Sequence, residues 1–471
     1  MDTVAAKHMS LYGYNRLTTP NLERIAAEST LYTRCFSPAD WTPPAHASLF
    51  TGLYPSGHGI SGQFRFLDTN FPHLISILKQ LGYRTYGVSS NAIVSPRTGI
   101  LRDLDQFYDY SGLMDFGFLE TKPLKPDLFD KILSQCNWDA QTRWGRLLTL
   151  LKYVLESNDL GYIPRRLLAK YLMEKALVIK YSATKTKKSF LKGLSLVKEN
   201  GFQLPTPPLF IFINVMEAHA LYNPPGNFRR FSQPSDKNAF PPVMLYDSRY
   251  DSERENTVAM FKNLYDDELL FLDNEIGRFY DELKAAKALD NTILIITSDH
   301  GEHFGEKGHY AHRFTLYQEL TKVPLIIRYP QYIKGPGVDD RLVSLTDIFA
   351  TLLDVTNCPF PCPRDSRSLL SSEKRDNLSA MILKDGPAQQ HLAKMVSHPP
   401  EWAEAKLSHA YSLVLDNNLK IIETHHGEIE IYHLGRDPDE NHDLSVTLDP
   451  SLVQELKNFL VKDKLQTQYI T

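Results

Sequence analysis

The chain has 471 residues, 42% hydrophobic and 23% charged, the composition of a globular protein with apolar material enough for one large domain and an appended smaller one. Its net charge of −4 gives no general attraction to nucleic acid or to anionic membranes, so neither is expected as a partner. Four cysteines are too few for a disulfide framework, and no apolar run reaches the roughly 20 residues that a membrane span needs.

In chain order, the opening Met1-Asp2-Thr3 carries no signal peptide, which points to a cytoplasmic location. A helix-like stretch from Leu74 to Leu81 leads into the strand-like residues 83–89. The region of about 110–200 reads as a helical insertion rich in Lys and Arg, either a cap over a site or a solvated excursion. Residues 209–215 and 292–298 are apolar throughout rather than alternating, as buried strands are, and 323–329 are similar. A helical period runs from Met260 to Leu283 between them. Alternation of strands and helices predicts an α/β fold, a mainly parallel sheet flanked by helices. Residues 358–372, rich in proline and serine, read as a linker between a catalytic domain at 1–357 and a smaller C-terminal α+β subdomain at 373–471. That subdomain has strand signals near 409–415, 419–424 and 428–433 and a helix from Pro450 to Lys462. Cys358 and Cys362 flank Pro-Phe-Pro and are read as two thiols in the linker, with a small disulfide or metal pair as the alternative.

In such sheets functional groups gather at the carboxyl ends of the strands. Directly after the apolar run at 292–296 comes Thr297-Ser-Asp-His-Gly-Glu, where Asp299 and His300 offer a carboxylate and an imidazole to one divalent cation. Gly301 lets the backbone turn sharply there, and His303, His309 and His312 follow closely. Earlier, Trp41-Thr-Pro-Pro-Ala-His-Ala-Ser-Leu-Phe-Thr-Gly reads as a helix entered through prolines. Thr42 then sits either among anion-favouring N–H groups or as a plain N-cap. His219, after the strand at 209–215, could act as a general acid or hold an anion, or be structural.

These segments, in this order, resemble the sulfatase family of the alkaline phosphatase superfamily. Asp2 through Ile25-Ala26 is similar to its first metal-ligand segment. Trp41 to Gly59 is similar to its nucleophile motif, and Thr297 to Glu302 to its second metal-ligand motif. The stretches 316–327, 343–354 and 431–444 match as well, so the resemblance covers nearly the whole chain outside the insertion. It implies an alkaline-phosphatase-like fold and one divalent metal ion (Ca²⁺, Mn²⁺, Mg²⁺ or Zn²⁺) held by Asp2, Thr42, Asp299 and His300. Thr42 would also be the nucleophile. His219 would contact the transferred group or the leaving oxygen, and His312 would lie near the substrate anion. His46 stands where relatives that cleave sulfate carry an arginine supporting the nucleophile.

Three departures shape the expectation. Thr42 and His46 replace the Cys or Ser and the downstream Arg that mature into formylglycine, so that maturation cannot occur. The expected substrate is therefore an anionic ester, a phosphodiester or phosphomonoester ahead of a sulfated saccharide. A binding protein that has lost turnover is a third possibility. Thr3 stands where many relatives have a second Asp, which leaves the metal's identity open. Finally, relatives carry an apolar strand immediately before the first Asp. A chain starting at Met1 looks truncated, and is expected to expose apolar strand edges and misplace Asp2.

Overall fold

The computed structural model describes residues 1–61, 66–111, 184–200, 207–220, 222–236, 251–312, 315–329, 336–383, 410–424 and 427–467. The expected insertion lies largely outside them, apart from the helix at its end. Seven helices are used below: α1 (Pro20–Ala26), α2 (Thr42–Thr51), α3 (Leu74–Gln80), α4 (Thr184–Asn200), α5 (Asp251–Ala285), α6 (Asp347–Val355) and α7 (Pro450–Thr467). None of the described helices is long and apolar enough to cross a membrane.

The strands at the centre of the molecule form two sheets. In one, β3 (Arg84–Ser89) lies between β4 (Gln106–Asp109) and β5 (Leu209–Asn214), all parallel. The other is mixed, in the order β10 (Gly337–Asp339), β1 (Thr30–Tyr32), β9 (Leu325–Arg328) and β6 (Leu294–Thr297), with β9 antiparallel to both its neighbours. A continuous apolar run signals burial on both faces and carries no direction, so the reversal of β9 could not be read from its residues. Side chains alternate along it. Ile326 joins the cluster built on α1 and α5, whereas Leu325 and Ile327 join the one containing Ile348 of α6.

The helix α5 supplies Phe261, Leu264, Tyr265, Leu272, Ile276 and Tyr280 to the first cluster, at the three- and four-residue spacing of one buried face. Truncating one such leucine, as in Leu272→Ala, removes contacts worth about 2–5 kcal/mol. On the opposite side Phe50 of α2, Leu74 and Leu78 of α3 and Phe349 of α6 form a further cluster, against which Phe210 and Phe212 of β5 pack. Helices thus cover both faces of the sheets.

Among the described residues β5 pairs only with β3 and β6 only with β9. Met1 and Asp2 lie between their carboxyl ends. The Met1 amine donates to Thr297 O at 2.8 Å, Asp2 N to Val215 O at 2.9 Å and Asp299 N to Met1 O at 3.3 Å. The expected misplacement of Asp2 therefore does not occur. These bonds fix it, while Leu209 to Ile213 remain only partly buried.

The C-terminal sheet is antiparallel, in the order β12 (Asn377–Ile382), β13 (Ala410–Leu415), β14 (Leu419–Glu423) and β15 (Ile429–His433). Leu413, Ile421 and Ile431 face Leu456 and Leu460 of α7, and the alternate residues Val414, Ile422 and Tyr432 face Phe36. The edge strand β12 has no counterpart among the sequence expectations, because Asn-Leu-Ser-Ala-Met-Ile lacks a β-branched, alternating signature. Residues between α6 and β12 are fastened to that helix. Asp347 pairs with Arg375 and accepts from Arg367 N at 2.7 Å, and Thr346 Oγ1 donates to Asp365 O at 2.8 Å. Cys358 and Cys362 are both free thiols.

Candidate metal centre and active site

Thr42 begins α2, but it does not cap it. The N-cap residue is Trp41, and no side chain caps the helix. Pro43 and Pro44 suit the first turn because the N–H groups they lack would have had no helical partner. The same prolines leave the helix end with fewer N–H donors than the anion-binding reading assumed. Thr42 Oγ1 instead points at the motif after β6, 3.2 Å from His300 Nε2 and 3.5 Å from Asp2 Oδ1.

Around that hydroxyl three elements converge. Asp2 arrives on the bridging segment, Thr42 on α2, and Asp299 and His300 on the loop after β6. Asp2, Asp299 and His300 each offer a ligand atom within 4.8 Å of the others, and all three are buried. His300 Nδ1 lies 2.9 Å from Gly301 O, which fixes the ring so that Nε2 faces the carboxylates, 3.4 Å from Asp299 Oδ2 and 3.9 Å from Asp2 Oδ1. Gly301 is required by close approach rather than by a left-handed turn. A Cβ there would fall 1.9 Å from Glu319 O.

The electrostatics of this cluster are strained. Burial alone would push His300 down, but the Asp299 and Asp2 carboxylates outweigh it and hold the ring above its ordinary value. Burial would raise Asp299, and His300 and His46 hold it below the usual carboxylate range instead. Asp299 Oδ1 accepts from Thr3 N at 3.2 Å and His300 N at 2.9 Å, whereas Oδ2 is buried with no hydrogen-bond partner. A buried carboxylate oxygen left this way costs about 1–3 kcal/mol or more unless something positive meets it. Three oxygen donors and one imidazole around such an oxygen fit a divalent cation, without choosing among Ca²⁺, Mn²⁺, Mg²⁺ and Zn²⁺.

His46, one turn along α2, lies 3.0 Å by Nδ1 from Thr42 O and 3.5 Å from Asp299 Oδ2. Burial pushes its pKa down against the pull of Asp299 and Asp2. Thr3, in place of a carboxylate, has a left-handed backbone (φ 57°), and its Oγ1 donates to Ala218 O at 2.5 Å. The His312 ring lies 4.6 Å from the His300 ring, tilted against it, and 5.2 Å from the His219 ring, edge to face, so both histidines border the cluster. His219 Nδ1 lies 2.7 Å from Ala220 O. His303 and His309 do not join. Their rings meet at 5.4 Å, tilted against each other, His303 bonds Thr315 Oγ1 at 2.8 Å, and His309 packs on Tyr317.

Three side chains that were not picked out from the sequence take part. Asn91 Nδ2 donates to Asp2 Oδ2 at 2.7 Å, and Asn214 Nδ2 lies 3.2 Å from His46 Nε2. Both stand at or just beyond the carboxyl ends of β3 and β5, where the strand-end rule pointed. Glu302, inside the Ser-Asp-His-Gly-Glu string, is buried, and burial pushes its carboxyl up to about 7 against the nearby histidines.

The family profile described as "Sulfatase" matches residues 1–358, and that of the N-sulphoglucosamine sulphohydrolase C-terminal region matches residues 305–468. A protein named "Sulfatase" from Formosa agariphila is 24% identical over 96% of this chain and 81% of its own length. An N-acetylglucosamine-6-O-sulfatase from Bacteroides thetaiotaomicron is 22% identical over 98% of this chain and 81% of its own. The crystal structure of the phosphonate monoester hydrolase of Agrobacterium radiobacter superposes with a TM-score of 0.65 at 19% identity, covering 99% of this chain and 94% of that one, and so shares the fold.

Proposed function

The chain belongs to the sulfatase family of the alkaline phosphatase superfamily and is an ester hydrolase, and on that premise we propose that it cleaves sulfate esters of saccharides with Thr42 as the attacking group. The observation that carries the attack is the meeting of Thr42 Oγ1, at 3.2 Å from His300 Nε2, with Asp2 and Asp299 in one buried cluster. The choice of a sulfated sugar is supported by the relatives' names, N-acetylglucosamine-6-O-sulfatase among them.

Asp2, Thr42, Asp299 and His300 would hold one divalent cation, Ca²⁺, Mn²⁺, Mg²⁺ or Zn²⁺. Such an ion lowers the cost of ionising a hydroxyl and neutralises an oxygen of the ester. In this reading Thr42 Oγ1 gives up its proton to solvent and forms the bond to sulfur as the bond from sulfur to the sugar oxygen breaks. His219 gives a proton to the departing oxygen, and His312 faces the anion. His46 steadies the first turn of α2 through Thr42 O. Water then takes the sulfuryl group from Thr42.

A phosphate ester is the second reading, favoured by Thr42 itself. Thr42 cannot become formylglycine, and sequence reasoning therefore put phosphate first. The phosphonate monoester hydrolase with the same fold adds to it. The relatives' names weigh more heavily on the side of sulfate. Hydrolysis of a 6-O-sulfated aminosugar, a phosphomonoester and a phosphodiester, each with the four metals in turn, separates the two. Cleavage of the sulfated sugar alone supports the first reading, and cleavage of the phosphate esters alone supports the second.

A further inference from the structure

Glu302 has no place in the reaction just described, yet it sits directly behind it. The residue is 1% exposed, and its two carboxylate oxygens meet different partners. Oε1 lies 3.1 Å from His312 Nδ1, and Oε2 accepts from the Tyr222 hydroxyl at 3.2 Å. Its backbone follows Gly301, which is locked by Gly301 N donating to Leu320 O at 2.9 Å and by the close approach of Glu319 O. The carboxylate is thus held through both its oxygens, while His312 directly follows a short hairpin of two-residue strands, β7 (His303–Phe304) and β8 (Tyr310–Ala311), that by itself says little about ring orientation. An imidazole whose Nδ1–H is taken by a buried carboxylate keeps one tautomer and one ring plane.

We propose that Glu302 is the positioning residue of this site: it accepts from His312 Nδ1–H and so fixes the ring plane, with Nε2, on the far side of the ring from the carboxylate, turned toward the substrate. Tyr222 completes the device by fixing the second carboxylate oxygen. The neighbouring His219 is held the same way by a local carbonyl, Ala220 O, so the two rings that border the cluster both have Nδ1 engaged. What distinguishes His312 is that its anchor comes from the metal-ligand loop itself, two residues after His300. A shift of that loop therefore carries the anion-facing ring with it.

The inference rests on the ester-hydrolase reading for its consequence, but not for its first test. ¹⁵N-imidazole spectra of the metal-loaded protein, with His312 assigned by its loss in His312→Gln, report the tautomer at alkaline pH, where the ring is neutral. The native protein and Glu302→Gln, whose amide oxygen can still accept from Nδ1–H, are expected to show the Nδ1–H form, and Glu302→Leu to lose it. A native ring protonated at Nε2, or a Glu302→Leu spectrum like the native one, overturns the proposal. In kinetics Glu302→Leu is expected to raise KM for the ester roughly 10-fold, the scale of one hydrogen bond to a charged group, with kcat changed far less and Glu302→Gln near native. Equal losses in KM and kcat, shared by Glu302→Gln, would contradict it. A native protein inactive on every ester would count against the reaction, and the spectra would still decide the role of Glu302.

Discussion

His46 and Asn214 meet at 3.2 Å, imidazole Nε2 to amide Nδ2, joining the first turns of α2 to the end of β5. Because the amide donates, Nε2 accepts and the proton sits on Nδ1, toward Thr42 O and Asp299 Oδ2. The ring thereby ties the turn carrying Thr42 to the strand that precedes His219. Asn214→Ala is expected to lower kcat/KM roughly 10-fold while leaving metal content intact, since neither residue contributes to the metal cluster. Steady-state kinetics with metal analysis checks this. An unchanged rate would show that the ring needs no second anchor.

Asn91 plays the matching part for Asp2. Its amide occupies Oδ2 at 2.7 Å and leaves Oδ1 on the side of Thr42 and His300. Asn91→Ala removes the group that orients the carboxylate, and metal affinity should fall about 10–100-fold. Calorimetric titration of the metal-free protein with Mn²⁺ or Ca²⁺ measures it directly, without any substrate. Equal affinities in native and variant protein would remove Asn91 from the account.

Two buried histidines away from the metal ligands set an acid limb. His58 bonds Ser48 Oγ at 2.9 Å, and His73 stacks on Phe50 with Nε2 at 3.1 Å from Ile100 O. Burial pushes both down to about 3 from 6.5. Above 6.5 both rings are neutral in the native and unfolded states, so neither adds a pH dependence. Below that value the unfolded chain takes up protons that the native state refuses, and stability falls by about 1.4 kcal/mol per pH unit per ring until the native rings also titrate. His73→Leu should therefore make the stability slope between about pH 4 and 6 shallower by ~1.4 kcal/mol per unit. Urea unfolding at a series of pH values tests this, and an unaltered slope would mean that the buried ring is not held neutral.

The parts of the site legible in the sequence are those whose chemistry is local. Asp299 and His300 are adjacent at the end of an apolar strand, so residue type and strand-end position single them out, and Thr42 is marked by the proline-entered helix it begins, whereas Asp2 and His46 are named only through the resemblance to the family. Asn91 and Asn214 were not singled out, because each acts on a residue far away in the chain and an asparagine after a strand is common in ordinary turns. Glu302 lay within a motif already noted, yet its partners His312 and Tyr222 come from two other loops. The same limit explains His303 and His309, which crowding in sequence counted towards the site but which the hairpin turns away from it. The direction of β9 and the existence of β12 depended on pairing, which local pattern does not record.

The central claim is that Thr42 Oγ1 carries the transferred group, and intact-protein mass spectrometry tests it most directly. The metal-loaded protein would be quenched in acid during turnover of whichever sulfate or phosphate ester it cleaves, beside Thr42→Ala handled identically. The account predicts a mass gain of one sulfuryl or phosphoryl group, mapped to the peptide containing Thr42, and neither adduct nor turnover in Thr42→Ala. Turnover that survives in Thr42→Ala, or an adduct on another residue, would contradict it.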